Sequence, residues 1–430
     1  MADSREIQFQ HDIIQEMLEG GWLTGPASGY DRTTALYTED LLTFVQEAYP
    51  DRWEKFCKNN PQDPAGALVK AVVRELDKHG TLEVLRHGFK VPGVKIDLCS
   101  FRSDHGMNPE AQARYTANRL RVVQEVSYSP HAREGEYNPR LDLVLFVNGI
   151  PTATLELKSQ FKQSVENAKR QYRQDRPPRD PVTRKPEPLL TFKRGALVHF
   201  AVSQAEVAMT TKLNGKATYF LPFNQGSLEG GAGNPPPPDD GTYATAYLWR
   251  EVFEKDAWLT ILGRFLHLDR EEIQHFDGSK DYRETLIFPR YHQWQVVNQL
   301  VQATRAEGPG HKYLIQHSAG SGKSNSIAWV AHQLASLYDD TGSSKLFNSV
   351  VVVTDRTVLD SQLQNTIYQF EHAQGVVRPI TRDIGNQSKS EQLAEALSTQ
   401  TLSSSSPSRP SRLCLMSWTS TQSWPVAATP

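Results

Sequence analysis

Apolar residues first recur at helical spacing and then switch to the alternation of strands. Ile7, Ile14, Met17 and Leu18 mark an amphipathic helix over residues 5–20, closed by Gly20 and Gly21. Similar periodicity predicts helices over 39–58 and 64–79. Strands are expected at 82–85, 94–98 and 122–128. The stretch LDLVLFVNGIPTATLELK, from Leu141 to Lys158, then sets two apolar runs either side of the turn Asn148-Gly149-Ile150-Pro151, which predicts a β-hairpin. Val165, Ala168 and Tyr172 predict a helix over 164–174, and strands follow at 197–202 and 207–211. Residues 225–241 read as a Gly/Pro loop and 259–266 as a helix. A second unit begins near residue 283. There Tyr313 to Ile315 predict a short strand, Asn325 to Tyr338 a helix and Ser349 to Thr354 a buried strand.

The hairpin carries the first chemistry. Side chains alternate faces along a strand, so Glu156 and Lys158 point the same way, and the turn folds Asp142 back towards them. Paired carboxylates suit a hard cation such as Mg²⁺, and a lysine beside them can orient water or steady a charged phosphate. The alternative is an acid and a Glu-x-Lys on solvated strand edges. The arrangement resembles the core of the PD-(D/E)xK nucleases, with Leu141-Asp142 standing where Pro-Asp is usual. In that family a helix acid sometimes adds a metal ligand. Glu75 is a candidate, against a solvated or salt-bridged glutamate.

Composition changes the picture little. The chain has 430 residues, 22% charged and 38% hydrophobic, which is long enough for two or three ordinary cores. A net charge of −2 leaves nucleic-acid binding to local patches. One such patch runs from Lys158 to Arg194, with 11 Lys or Arg against 4 Asp or Glu. The run is a candidate track for a DNA backbone or else a solvated loop face, and within it Lys169, Arg173 and Arg176 fall at i, i+4 and i+7 on one face of the expected helix. Three scattered cysteines give neither a disulfide framework nor a metal spacing. No stretch reads as a signal peptide or membrane span, so a cytoplasmic protein is expected.

The second unit carries a phosphate-binding loop. After Tyr313 to Ile315 comes His317-Ser318-Ala319-Gly320-Ser321-Gly322-Lys323-Ser324, then a helix. In a strand–loop–helix of this kind the glycines let backbone N–H groups close on phosphates. Lys323 would reach the β and γ phosphates of ATP, and Ser324 would ligate Mg²⁺. Gly320, Ser321 and Gly322 form the cradle. Upstream, Arg290-Tyr291-His292-Gln293 precedes a helix. Downstream, Thr354, Asp355 and Arg356 end the valine-rich strand, in the position of a DNA-contacting loop, with a helix cap and a surface charge as the alternative for Asp355 and Arg356.

Hairpin, basic helix, glutamine and phosphate loop in this order resemble the restriction (motor) subunit of a type I restriction–modification system over roughly residues 1–395. The opening segment, with Gly21-Trp22 and Tyr30-Asp31, is similar too. The resemblance implies an α/β chain, with a PD-(D/E)xK nuclease over 1–265, a linker over 266–285 and part of a RecA-like superfamily-2 helicase lobe over 286–395. It implies Mg²⁺- and ATP-dependent translocation on double-stranded DNA, cleavage of DNA lacking protective methylation, and assembly with modification and specificity subunits. Asp142, Glu156 and Lys158 become the nuclease residues, and Gln293 an adenine reader. The family's Gln-x-x-x-Tyr motif is met only by the adjacent Gln171 and Tyr172. Residues 396–430 contain no acid and are rich in Ser and Pro, so an aberrant tail from a frameshift near residue 400 is expected, with a true disordered tail as the alternative. The chain would then bind ATP without hydrolysing it. A stand-alone nuclease and a non-catalytic nucleotide- or partner-binding fragment are the alternatives.

Overall fold

The computed structural model describes residues 4–103, 108–133, 135, 137–159, 164–237, 242–275, 279–354, 367, 377–380 and 412–417. The chain divides into two units. One comprises Met1–Arg102, Pro109–Leu266 and Arg270–Tyr291. The other comprises Ser103–Asn108, His267–Asp269 and His292–Pro430.

The first unit opens on the expected amphipathic helix α1, Ser4–Glu19, which buries Phe9, Ile13, Ile14 and Met17. The single helix expected over 39–58 is two, α2 (Thr38–Ala48) and α3 (Pro50–Asn59). Pro50 has no N–H to continue the ladder, and Tyr49 before it takes φ −139°. Helix α4, Pro64–His79, is capped by Asp63, whose side chain accepts from the Gly66 N–H. The strand expected at 82–85 is instead helix α5, Thr81–His87. Gly80 and Gly88, both at positive φ, close its two ends. Four apolar-rich residues were too few to distinguish the two periods.

Small hairpins β2/β3 (Tyr30–Asp31, Leu36–Tyr37) and β4/β5 (Phe89–Val91, Val94–Ile96) and helix α6 (Pro109–Thr116) lie outside the main sheet. That sheet runs β1-β6-β7-β8-β9-β10-β11: Leu23–Thr24, Leu120–Ser127, Arg140–Val147, Ile150–Lys158, Val198–Ser203, Val207–Thr210 and Leu221–Pro222. Strands β7 and β8 are the expected hairpin. Asn148 and Gly149 at φ 49° and 77° make a two-residue turn, with Ile150 and Pro151 already in β8. Gly149 has a second reason to be glycine, since a Cβ there would lie 2.3 Å from the Tyr37 carbonyl oxygen. Strand β8 then pairs parallel with β9, and helix α7 (Val165–Asp175) makes the crossover. Val165, Ala168 and Tyr172 of α7 pack into a core with Val126, Tyr128, Leu141, Val144 and Phe146. Further aromatic side chains, Phe200, Phe223, Phe253, Trp258 and Phe288, meet in a second cluster, edge-on except for the tilted Trp258–Phe288 pair. Trp258 belongs to helix α8, Lys255–Thr260, which continues as a wider turn over Ile261–Phe265.

The stretch expected to be a linker is a charged two-stranded ribbon, β12 (His267–Gln274) with β13 (Lys280–Ile287). Cross-strand pairs Arg270–Glu284 and Lys280–Glu272 replace the apolar alternation that would have marked it as sheet.

In the second unit, α9 (Tyr291–Glu307) and α10 (Lys323–Ala335) form as expected. The Tyr313–Ile315 strand does not form, and Leu314 is 93% exposed. Three parallel strands make the sheet, in the order β14 (Ser349–Thr354), β16 (Arg412–Ser417), β15 (Val377–Ile380). Its central strand lies inside the stretch expected to build no structure. The Ser/Pro-rich average over 35 residues conceals the short β-prone run Leu413-Cys414-Leu415-Met416.

Candidate functional site

The hairpin register brings Leu143 opposite Leu155, so Asp142 and Glu156 lie at adjoining positions at the open end of β7 and β8. The Asp142 carboxylate accepts the Leu157 N–H at 2.6 Å and lies 4.0 Å from the Lys158 ammonium. Glu156 is fully buried. Its Oε1 accepts from Arg176 Nε at 2.6 Å, and its Oε2 has no hydrogen-bond partner among the described residues. The three residues singled out on the hairpin are therefore brought together.

Electrostatics follow from this crowding. Burial pushes the Asp142 carboxyl up to about 6. The Lys158 charge and the Leu157 N–H oppose the rise, and the Glu6 and Glu125 carboxylates add to it. Burial also raises Glu156 well above the usual carboxylate range, helped by the Asp142 charge and opposed by Arg176 and Lys158. Two mutually repelling carboxylates, one with an unpartnered buried oxygen, form a donor set that fits a hard divalent cation.

Other elements reach this point. Lys158 Nζ donates to Glu6 Oε1 of α1 at 3.1 Å and to the Leu157 carbonyl at 2.6 Å. Gln10, one turn further along α1, donates to the Asp142 carbonyl at 2.7 Å. Glu125 sits on β6 at φ 53°, where the ladder passes from Gln124–Leu143 to Val126–Leu141 and leaves Glu125 unpaired. The helix acid at the site is thus Glu6. Glu75 instead pairs with Arg74 and His79 on α4. The 6/10 spacing in α1 was visible in sequence, but nothing there tied it to a strand some 150 residues away.

The expected basic face of α7 is largely taken up internally. Lys169 pairs with Glu166 at 2.6 Å, Arg173 Nε donates to the Thr218 carbonyl, and Arg176, expected to face DNA, is buried against Glu156. The Tyr172 hydroxyl meets Thr154 Oγ1 at 2.8 Å inside the core, and burial raises it well above its ordinary value. Gln171 is half-buried and makes no hydrogen bond to the acids among the described residues.

In the second unit the phosphate loop ends on Gly322, at φ 80°, which caps α10. Lys323 Nζ donates to the loop carbonyls of His317 and Ser318 at 3.1 and 2.9 Å. Gln293 is buried and donates to the carbonyls of Ser321 and Gly322 at 3.1 and 2.9 Å. A Cβ at position 322 would lie 2.3 Å from the Gln293 amide nitrogen, so glycine lets that side chain close on the loop. Gly320 is at φ 74° and Ser324 is half-buried in the first turn of α10. Lys323 and Ser324 thus stand at the N-terminus of a helix, where backbone N–H groups favour phosphate. Thr354 ends β14, and Asp355 and Arg356 lie outside the described residues.

Residues 45–218 match the family model of the type I restriction enzyme R protein N terminus, and residues 292–405 match that of the SWI2/SNF2 ATPases. No curated protein matches the chain. The first match spans Asp142, Glu156 and Lys158, and the second spans Gln293 through Ser324. An R-protein N terminus and an ATPase segment in this order fit the restriction subunit of a type I restriction enzyme.

Proposed function

We propose that the first unit is a Mg²⁺-dependent DNA nuclease, and that it acts with the ATPase segment in ATP-dependent translocation and cleavage of unmodified DNA. The observation that carries the nuclease reading is the convergence of Asp142, Glu156 and Lys158, with one buried Glu156 oxygen unpartnered. Asp142 and Glu156 would hold the cation, which when bound supplies Lewis-acid polarisation of a phosphodiester. Arg176 fixes the Glu156 carboxylate by one oxygen. Glu6 and Gln10 hold Lys158 and the Asp142 backbone in place. Lys158 would carry positive charge to the scissile phosphate and orient water there. In the second unit, Lys323 would exchange its loop carbonyls for nucleotide phosphates, and Gln293 would hold the loop that receives them. Modification and specificity subunits are the expected partners, and the sequence to be cut would be read by the latter. No helix among the described residues is long and apolar enough to cross a membrane.

Mg²⁺-dependent cutting of unmethylated duplex DNA by the assembled complex is the test. Asp142→Asn and Lys158→Ala should each abolish cutting while leaving ATP binding intact. Undiminished cutting by either variant would refute this site.

A further inference from the structure

Directly after Arg176 the chain leaves the body of the first unit and returns at Glu187. The excursion, PPRDPVTRKPE, is held rigid. Asp180 N–H donates to the Lys185 carbonyl and Arg184 N–H to the Asp180 carbonyl, each at 2.9 Å, and Glu187 N–H returns to the Pro178 carbonyl at 3.0 Å. Arg179 and Pro186 form an antiparallel bridge. Asp180 Oδ1 accepts the N–H groups of Val182 and Thr183, which holds the carboxylate within the turn, and it makes no ion pair with a cation among the described residues. Pro178, Pro181 and Pro186 stiffen what remains. Nothing apolar holds the tip, where Val182 is 85% exposed.

The base of this turn is fastened to the nuclease acids. Arg176, two residues before Pro178, pairs with Glu156 and also donates to the Arg140 carbonyl. Glu187, at the return, accepts from Ser129 Oγ at 2.8 Å, and the His131 ring meets the Pro186 carbonyl at 3.0 Å. Between these anchors Arg179, Arg184 and Lys185 are all exposed, and none makes an ion pair among the described residues. Among the described residues the Arg179 side chain reaches only the Arg184 carbonyl. By contrast, Lys169, Arg173 and Arg176 are each satisfied internally.

We infer that this turn, residues 178–187, is the duplex-DNA contact of the nuclease unit, with Arg179, Arg184 and Lys185 on backbone phosphates. The inference rests on the nuclease reading for its choice of partner. A rigid basic projection costs little ordering entropy on binding, and one anchored beside the acids sets the register of the strand to be cut. Uncompensated cations are the ones that displace condensed counterions, so each should add about 0.9 to the slope of log K against log salt.

The test is a salt titration of binding of the full chain to a short duplex, without divalent cation. The altered chain carries Arg179→Gln, Arg184→Asn and Lys185→Gln. Asparagine at 184 tolerates the φ of 60° found there. The slope should shrink by about 2.7, and Lys169→Gln alone should leave it unchanged. Equal slopes for the triple variant and the unaltered chain would overturn the assignment. Cleavage by the unaltered chain with Mg²⁺ is scored separately. A chain that cuts but shows equal slopes retains its nuclease and loses this contact. A chain that does not cut but loses slope keeps the contact and loses the nuclease.

Discussion

Replacing Arg176 by alanine removes one partner of a pair whose members have both left water. Glu156 is fully buried, the Arg176 side chain is 5% exposed, and the contact is 2.6 Å. Deleting one side of a buried pair leaves an uncompensated charge and costs about 3–5 kcal/mol. Here the carboxyl has an escape. Burial and the Asp142 charge already hold it well above the usual range, and without the guanidinium it takes up a proton. A group whose folded value is raised loses its stabilising contribution as pH rises through that value. The variant should therefore lie close to the unaltered chain at low pH and diverge upwards, by at most about 1.4 kcal/mol per pH unit. Because the chain holds two units, global melting would mix their transitions. Hydrogen exchange of peptides from β7 and β8 isolates this one. The expected loss at pH 8 is about 3 kcal/mol in their opening free energy, and most of it should vanish when Glu156→Gln is already present. A loss of the same size in the Glu156→Gln background, or one that does not vary with pH, would show that Arg176 acts by packing and not through the carboxylate.

Two further outcomes follow from the sites. Asp142→Asn should stabilise the first unit at pH 7 by about 3 kcal/mol, since raising the carboxyl from 3.8 to about 6 works against folding at any pH above 6. That gain should fade below pH 4, where both states are protonated, and exchange rates in β8 across pH would reveal its absence. Lys323→Ala should abolish ATP binding by this 430-residue chain, read by equilibrium binding of a fluorescent nucleotide.

The site was legible where chemistry and local geometry coincide. Asp142, Glu156 and Lys158 sit on one hairpin, whose turn residues fix the register within 17 positions. Lys323 and Ser324 follow a glycine loop whose spacing is itself the signal. Glu6 and Gln10 were not legible, because α1 reaches the hairpin through tertiary packing over more than 130 residues. Helix α5 and the β12/β13 ribbon were misread because short or charged elements carry no decisive period. Strand β16 was hidden by averaging composition over a window longer than the element.

The basic run shows a different limit. Counting 11 cations against 4 acids between Lys158 and Arg194 correctly located positive charge, but a count has no direction. Helical periodicity then assigned that charge to α7, because i, i+4, i+7 was the only regular pattern available. In the fold, α7 is a crossover lying on the sheet, so Lys169, Arg173 and Arg176 are near carboxylates and carbonyls that compete with phosphate for them. The irregular, proline-broken segment lies in the same run but carries no periodicity, so no cation in it stands out from sequence. Yet irregularity is what lifts a segment off the sheet and leaves its cations without internal partners. For an electrostatic interface the deciding quantity is the uncompensated charge. By that measure three residues of the turn outweigh the more numerous cations behind them.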